Sequence, residues 1–549
     1  MASITDLADD LVDAIAAEDP LNEFLDGHPG FEDQLGDPDE AAHQALRDQA
    51  LSIAARARDL DTDDWVTRAV IVQQAEALAD RLDARLVEHT MHDFELCPIV
   101  KLLTVLPEPR PRTPEQEGHY LRRLAAIPEF LARSAVRHRD GVAAGRLPIA
   151  RRTRSAIDHV DRYLAHPDED PLRKVPVQDV AERDRLIDDV VRPAFATYRQ
   201  GLHELAPHGR PDERPGLCWL PDGEATYAAL ARNHTTTAQT PEELHRTGLE
   251  LIDRLAEEYL EIGAGVFGVS TVAEVHHRLR TDPAMRYRDA QEVLEISRAA
   301  VERAEEAMPR WFGLIPDQRC DVRPTPADQA PHTSVAYYVP GTADGSRSGI
   351  YYANTYRAEE RDRYIAETNA FHEAVPGHHV QITLAQELTH LPKLRRIARV
   401  NAYIEGWALY CERFADEVGL YSDDVARLGM LALESLRTAR LVVDTGVHAF
   451  GWSRQRVVDY LREFTVMNEV EVQQETDRYI EWPGQALSYM VGRLEIQRIR
   501  ADAERTLGPA FDLKRFHDLL LGVGPLPLAV LDDVVSEWTQ ECARSSGKA

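Results

Sequence analysis

The sequence predicts a mainly α-helical protein built as two lobes, with a small β hairpin or sheet edge in the second. Three observations carry that prediction. Apolar residues recur at spacings of three and four over long stretches, as in A-V-I-V-Q-Q-A-E-A-L-A-D-R-L at 69–82, which is the period of an amphipathic helix. Helix-start signals repeat, at Thr113-Pro114-Glu115-Gln116 and again at Thr240-Pro241-Glu242-Glu243, where threonine can cap and proline can take the first helical position. One region breaks the pattern: S-V-A-Y-Y-V-P at 334–340 and G-I-Y-Y-A-N-T-Y at 349–356 are aromatic and β-branched runs joined through D-G-S-R-S.

In chain order, residues 1–206 read as helices interrupted by loops rich in Pro and Asp. The segment at 206–224, A-P-H-G-R-P-D-E-R-P-G-L-C-W-L-P-D-G-E, is the densest in Pro and Gly and marks a lobe boundary. This gives an N-terminal helical lobe at 1–215 and a second lobe at 216–549. Glu243 is placed for a capping box at the start signal of 240–243. The β element near 334–356 follows, and after Glu359 the helical period resumes almost to the end. At 549 residues the chain exceeds the size at which one core stops growing, so two lobes with a cleft between them are expected.

Asp and Glu number 93 against 63 Lys and Arg, a formal charge of −30. Nucleic acids and anionic membranes bind through clustered cations, so neither is an expected partner. The five cysteines, at 97, 218, 320, 411 and 542, are odd in number and never in C-x-x-C spacing, which indicates neither a disulfide framework nor a cysteine zinc site. The N-terminal stretch carries acids where a signal peptide needs basic residues, and no run approaches a membrane span. A cytoplasmic protein is expected, and a homodimer is the base-rate expectation for its assembly.

The stretch F-H-E-A-V-P-G-H-H-V-Q at 371–381 carries the chemistry. His372-Glu373 opens like H-E-x-x-H, in which two histidines one helical turn apart hold zinc and the glutamate activates water, but Pro376 stands where the second histidine belongs. On an unbroken helix His378 would sit roughly 120° round from His372, and His379 on the same face but about 10 Å further along. Neither could share a metal at ligand distances of about 2 Å. Pro376-Gly377 provides the means: proline removes a backbone donor, glycine permits unusual dihedrals, and the helix can break and return a histidine. Downstream, N-A-Y-I-E-G-W-A-L-Y-C-E places Glu405 and Glu412 on one helix face, seven residues apart. Glu405 follows His372 by enough chain for a loop and a return helix, as a third ligand must. The expected cofactor is one zinc ion, with Glu373 as general base.

The segments H-E-A-V-P-G-H-H, E-G-W-A-L-Y, D-T-G-V-H and R-Y-I-E-W-P-G-Q-A-L-S-Y resemble the bacterial family catalogued as domain of unknown function 885, whose members are regarded as zinc metallopeptidases. The likeness runs over most of the chain, including Y-Y-A-N before the motif and H-T-T-T at 234–237. It implies a two-lobed helical metallopeptidase fold similar to Taq-type carboxypeptidase, thimet oligopeptidase and angiotensin-converting enzyme, with the site between the lobes. In the last of these the second zinc histidine is likewise followed by an apolar residue and glutamine. That inclines the choice to His379 and leaves His378 open.

The remaining roles follow from residue type and position. A tetrahedral oxyanion needs a donor besides the metal, for which the candidates are Tyr489 first, then His448 and Tyr479. Arg440 and Asp444, four apart on one helix, are expected to face each other as an ion pair. In the sharper reading an arginine here, Arg437 or Arg440, or else Arg493, binds a substrate carboxylate. Glu412 or Asp444 is expected to orient a metal-bound histidine. The strand with Tyr352 and Asn354 is expected to bind an extended peptide by edge addition. The expected substrate is a short peptide. The alternatives are a zinc amidase acting on a modified amino-acid conjugate and a non-catalytic metal-binding helical module.

Overall fold

The structure is a computed structural model that describes residues 3–21, 30–94, 97–327, 329–342 and 347–546. It is mainly α with one small sheet, as the sequence predicts. Thr113 accepts the Gln116 N–H at 3.2 Å and Pro114 opens the helix Pro114–Ala143, where an amide proton would have no partner. Thr240 and Glu243 form a reciprocal capping box at the start of Pro241–Phe267.

The chain divides into two compact units. The first comprises Met1–Asp64, Ile71–Leu230 and Val447–Gln455, so the expected boundary at 215/216 falls inside it. The Pro- and Gly-rich stretch has a long-range partner that explains this. A Cβ on Gly216 would lie 1.8 Å from the Val447 carbonyl oxygen, and the Arg454 N–H donates to the Asp212 carbonyl at 2.8 Å. One core of this unit joins Leu124, Ile127 and Leu131 to Val191, Phe195 and Leu202. The second unit comprises Trp65–Val70, Ala231–Gly446 and Arg456–Ala549, and one of its cores joins Leu255 and Tyr259 to Val275, Leu279, Leu428 and Leu431.

The sheet lies in the second unit. β2 (Ala336–Val339) and β3 (Ile350–Ala353) form the expected antiparallel pair, with Tyr337 opposite Tyr352 and their rings stacked at 5.0 Å. Asp344-Gly345-Ser346, part of the expected connection, lie outside the described residues. The strand β1 (Asp321–Pro324), D-V-R-P without the aromatic run of the other two, adds to β3 in parallel, giving the order β1-β3-β2. β3 is therefore the central strand, and edge addition of a peptide to it is corrected, since both its edges are taken.

The helices that build the site follow in the same unit. Ala366–Glu373 carries His372, His378–Glu387 comes directly after it, and Asn401–Glu417 carries Glu405. Asp424–His448, which belongs to this unit as far as Gly446, Glu469–Glu481 and Leu487–Leu507 complete the set. The Glu405 helix packs on Leu487–Leu507 through glycines: a Cβ on Gly406 would lie 2.5 Å from the Gly492 Cα, and one on Gly492 would lie 1.8 Å from the Ala402 carbonyl oxygen. Among the described residues no helix is long and apolar enough to cross a membrane.

Candidate metal centre

The helix carrying His372 ends at Glu373 and a new one begins at His378, so the chain breaks at the Pro-Gly link. Two side chains of the Glu405 helix hold that link in place. Trp407 Nε1–H donates to the Pro376 carbonyl at 3.0 Å, and the Cys411 thiol points at the same oxygen at 3.5 Å. Gly377 is required there, because a Cβ would lie 1.9 Å from the His372 carbonyl oxygen. Once the link is pinned to the Glu405 helix, the residue just after it must emerge beside Glu405.

That residue is His378. His372 Nε2 and His378 Nε2 each lie 3.6 Å from Glu405 Oε2, and the two imidazole rings stand nearly perpendicular with centroids 4.7 Å apart. One ligand atom from each of the three residues falls within 4.8 Å of the others, the spacing of a cluster that could close on one ion. The inclination to His379 is corrected. Its Nε2–H donates to the Gln318 carbonyl at 2.9 Å, so its Nδ1 is the acceptor for the Tyr338 hydroxyl at 3.0 Å, and both nitrogens are occupied.

Glu412 approaches His372 from the other side, 2.7 Å from Nδ1, and is itself buried. This pairing fixes the tautomer that aims the Nε2 lone pair at the cluster. Burial opposes charge on His372, yet the carboxylates of Glu405, Glu412 and Glu373 push it up to about 10. Burial likewise opposes charge on Glu405, and the two imidazoles hold its carboxyl well below the usual range. His378 Nδ1 is buried with no hydrogen-bond partner among the described residues. Two neutral-capable imidazoles and one carboxylate, one imidazole already oriented by a second carboxylate, form a donor set that fits zinc.

Glu373 is half-buried and makes neither hydrogen bond nor ion pair among the described residues. Tyr489 is half-buried, its hydroxyl receives Arg478 Nη2–H at 3.4 Å, and its own proton has no acceptor among the described residues. Gly492, which packs on the neighbour of Glu405, follows Tyr489 by three residues.

Several expected site residues have other duties. The Tyr479 hydroxyl donates to Glu475 and accepts from Arg440 Nε at 3.2 Å, so it holds no proton for an oxyanion. His448 belongs to the first unit, fully buried, with its ring stacked on Tyr227 and its Nδ1 accepting the Leu217 N–H at 3.2 Å. Asp444 accepts the Gly484 N–H with both oxygens, at 3.0 and 3.3 Å, rather than orienting a ligand histidine. Arg440 pairs not with Asp444 but with Glu475, at 2.9 Å. Arg493 is buried against Glu434 at 2.6 Å, within a network that continues to Arg413 and Glu258, so it is corrected from substrate binder to structural ion pair. Asn354 is also structural: its amide donates to the carbonyls of Ala330, Thr333 and Ser334, and its oxygen accepts the Tyr356 N–H. Tyr352 is half-buried beneath Tyr337. Sequence reading missed Trp407 and Cys411 as the clamp on Pro376, and Gly406 and Gly492 as the contact that sets the height of Glu405. The signal for the glycines was present, since a glycine inside a helix costs about 1 kcal/mol and calls for a packing reason.

Fold and site together define a mainly α protein whose second unit gathers two histidines and a glutamate around a break in a helix. The chain belongs to the family described as bacterial protein of unknown function, DUF885, whose profile matches residues 20–535. Among solved structures it is similar to a protein described as a "putative lipoprotein" from Colwellia psychrerythraea, with 26% identity and a TM-score of 0.89 over 98% of this chain and 100% of that one. A protein of unknown function from Shewanella oneidensis, described in the same terms, shares the fold at 17% identity and a TM-score of 0.77, over 98% of this chain and 100% of that one. No curated protein matches the chain.

Proposed function

We propose that this protein is a zinc-dependent hydrolase that cleaves amide bonds in short peptides. The observation that carries the reading is Glu373: a half-buried carboxylate with no hydrogen bond or ion pair among the described residues, adjacent in sequence to His372 of the His372–His378–Glu405 cluster. A protein that only bound metal would have no chemical use for an unpaired acid there. His372, His378 and Glu405 would hold the ion, which when bound would supply Lewis acidity toward water and the scissile carbonyl. Glu373 takes a proton from the attacking water and returns it to the leaving amine. Tyr489 donates its hydroxyl proton to the oxyanion. Glu412 holds His372 in the tautomer that binds.

The same apparatus would hydrolyse any accessible amide, so an amidase acting on a modified amino-acid conjugate is the second reading. The arginines described below favour the peptide. For location, the absence of any disulfide among the five cysteines suits a reducing compartment. The likeness to a "putative lipoprotein" favours the cell envelope instead, and fractionation of the native cell decides between them. The functional reading is tested by Glu373→Gln. The variant should retain zinc and lose activity on a short-peptide library by roughly 10²-fold or more, the scale of a lost general base. Undiminished cleavage by that variant would remove the proposed mechanism.

A further inference from the structure

Three guanidiniums converge on one aromatic ring, on the helix that packs against the Glu405 helix. The Cζ atoms of Arg437, Arg440 and Arg478 lie 5.8, 4.5 and 6.0 Å from the centroid of Tyr489. Among the described residues Glu475 pairs with two of them, Arg440 at 2.9 Å and Arg478 at 3.2 Å. Arg437 makes no ion pair and no hydrogen bond among the described residues. Of the three cations, two are paired with Glu475 and the third has no anion among the described residues.

Two N–H groups in this cluster are also unused. Arg440 is 4% exposed and its Nη1 is buried with no acceptor among the described residues, and Arg437 Nε is buried in the same state. A buried charged donor without a partner is costly, and such groups are normally satisfied. Excess positive charge and two unsatisfied N–H groups describe a place prepared for an anion with two acceptor oxygens. Guanidinium edges and carboxylates match in that way.

A helix contact ties this place to the proposed chemistry. Gly406, which directly follows Glu405, packs on Gly492, and Tyr489 stands three residues before Gly492, about 4.5 Å along the same helix. We infer that Arg437 and Arg440 form a carboxylate subsite that receives the free carboxyl terminus of the substrate. It places the bond to be cleaved within a residue or two of that terminus. The inference rests on the hydrolase reading for the reaction, but not for the binding.

The test separates the two. A short N-acetylated peptide with a free carboxyl terminus and neutral side chains is titrated into the full-length protein in the presence of a chelator. Its C-terminal amide is titrated in parallel, as is an amide carrying one glutamate. Wild type should bind the acid at least about tenfold more tightly than either amide, the worth of a charged hydrogen-bond partner. Arg437→Gln should bring all three within about twofold, with Arg437→Lys in between because it keeps the charge but loses the fork. Melting curves establish that the variants fold. Equal binding of acid and amides by wild type, no binding of any of the three, or full discrimination by a folded Arg437→Gln would overturn the inference. So would stronger competition by inorganic phosphate than by acetate, which would make this a phosphate site, or by the glutamate-bearing amide, which would make it a side-chain site. Acid-selective binding without hydrolysis would uphold the subsite and remove the hydrolase reading; hydrolysis with equal binding would do the reverse.

Discussion

Replacing Gly406 by alanine should disable the metal site without touching a ligand. The added Cβ would lie 2.5 Å from both the Cα and the carbonyl carbon of Gly492, and 2.9 Å from the Arg493 nitrogen. Carbon atoms rest at about 3.5–4.0 Å, so the Glu405 helix must move away from Leu487–Leu507 by about 1 Å. All three clashing atoms are backbone, and no side-chain rotation relieves them. Zinc sites tolerate ligand shifts of only about 0.2 Å, so a displacement of that size carries the Glu405 carboxylate out of reach. The expected loss in zinc affinity is about tenfold to a hundredfold, together with about 1–3 kcal/mol of stability from overpacking. Chelator competition measures the first and thermal unfolding the second. Gly265→Ala is the control, since a Cβ there meets nothing within 4 Å and the residue sits inside the helix Pro241–Phe267. It should leave zinc affinity unchanged and stability equal or higher. Wild-type affinity and melting in Gly406→Ala would refute the reasoning, because the helix contact would then not set the position of Glu405.

Two further outcomes follow from the same geometry. Glu412→Gln removes the charge 2.7 Å from His372 Nδ1 and should weaken zinc binding by about tenfold to a hundredfold while leaving the fold intact; unchanged affinity by chelator competition would mean that Glu412 does not orient the ligand. Burial raises the Glu471 carboxyl from 4.5 to about 7, with the charges of Asp362 and Glu475 adding to the effect. A raised carboxyl favours the folded state at low pH, so this contribution is fully present below about 4.5 and is lost as pH rises through about 7, a change of at most about 3 kcal/mol. Glu471→Gln keeps the capping-box position and should flatten the fall in melting temperature between pH 5 and 8. Equal slopes for variant and wild type would refute it.

Much of the fold was legible because it is written locally. Helical period, the Thr-Pro-Glu starts at 113 and 240, and the aromatic strands at 334–356 all depend on neighbours within a few residues. Features set by distant partners were not. The strand β1 became visible only by pairing with β3, and the return of Val447–Gln455 to the first unit depends on the contact of Gly216 with Val447. The site divides in the same way. His372, Glu373, Glu405 and Glu412 could be found by spacing, and Pro376-Gly377 announced a break. The choice between His378 and His379 could not be made locally, because it is decided by Trp407 and Cys411 gripping the Pro376 carbonyl and by Gln318 and Tyr338 occupying His379. Arg440 similarly left its expected partner Asp444 for Glu475, which arrives on another helix.

Zinc titration of wild type beside His378→Ala and His379→Ala tests the central claim most directly. The account predicts one equivalent of zinc bound by wild type, loss of tight binding in His378→Ala, and retention of it in His379→Ala. No stoichiometric zinc in wild type, or loss in His379→Ala with retention in His378→Ala, would contradict it.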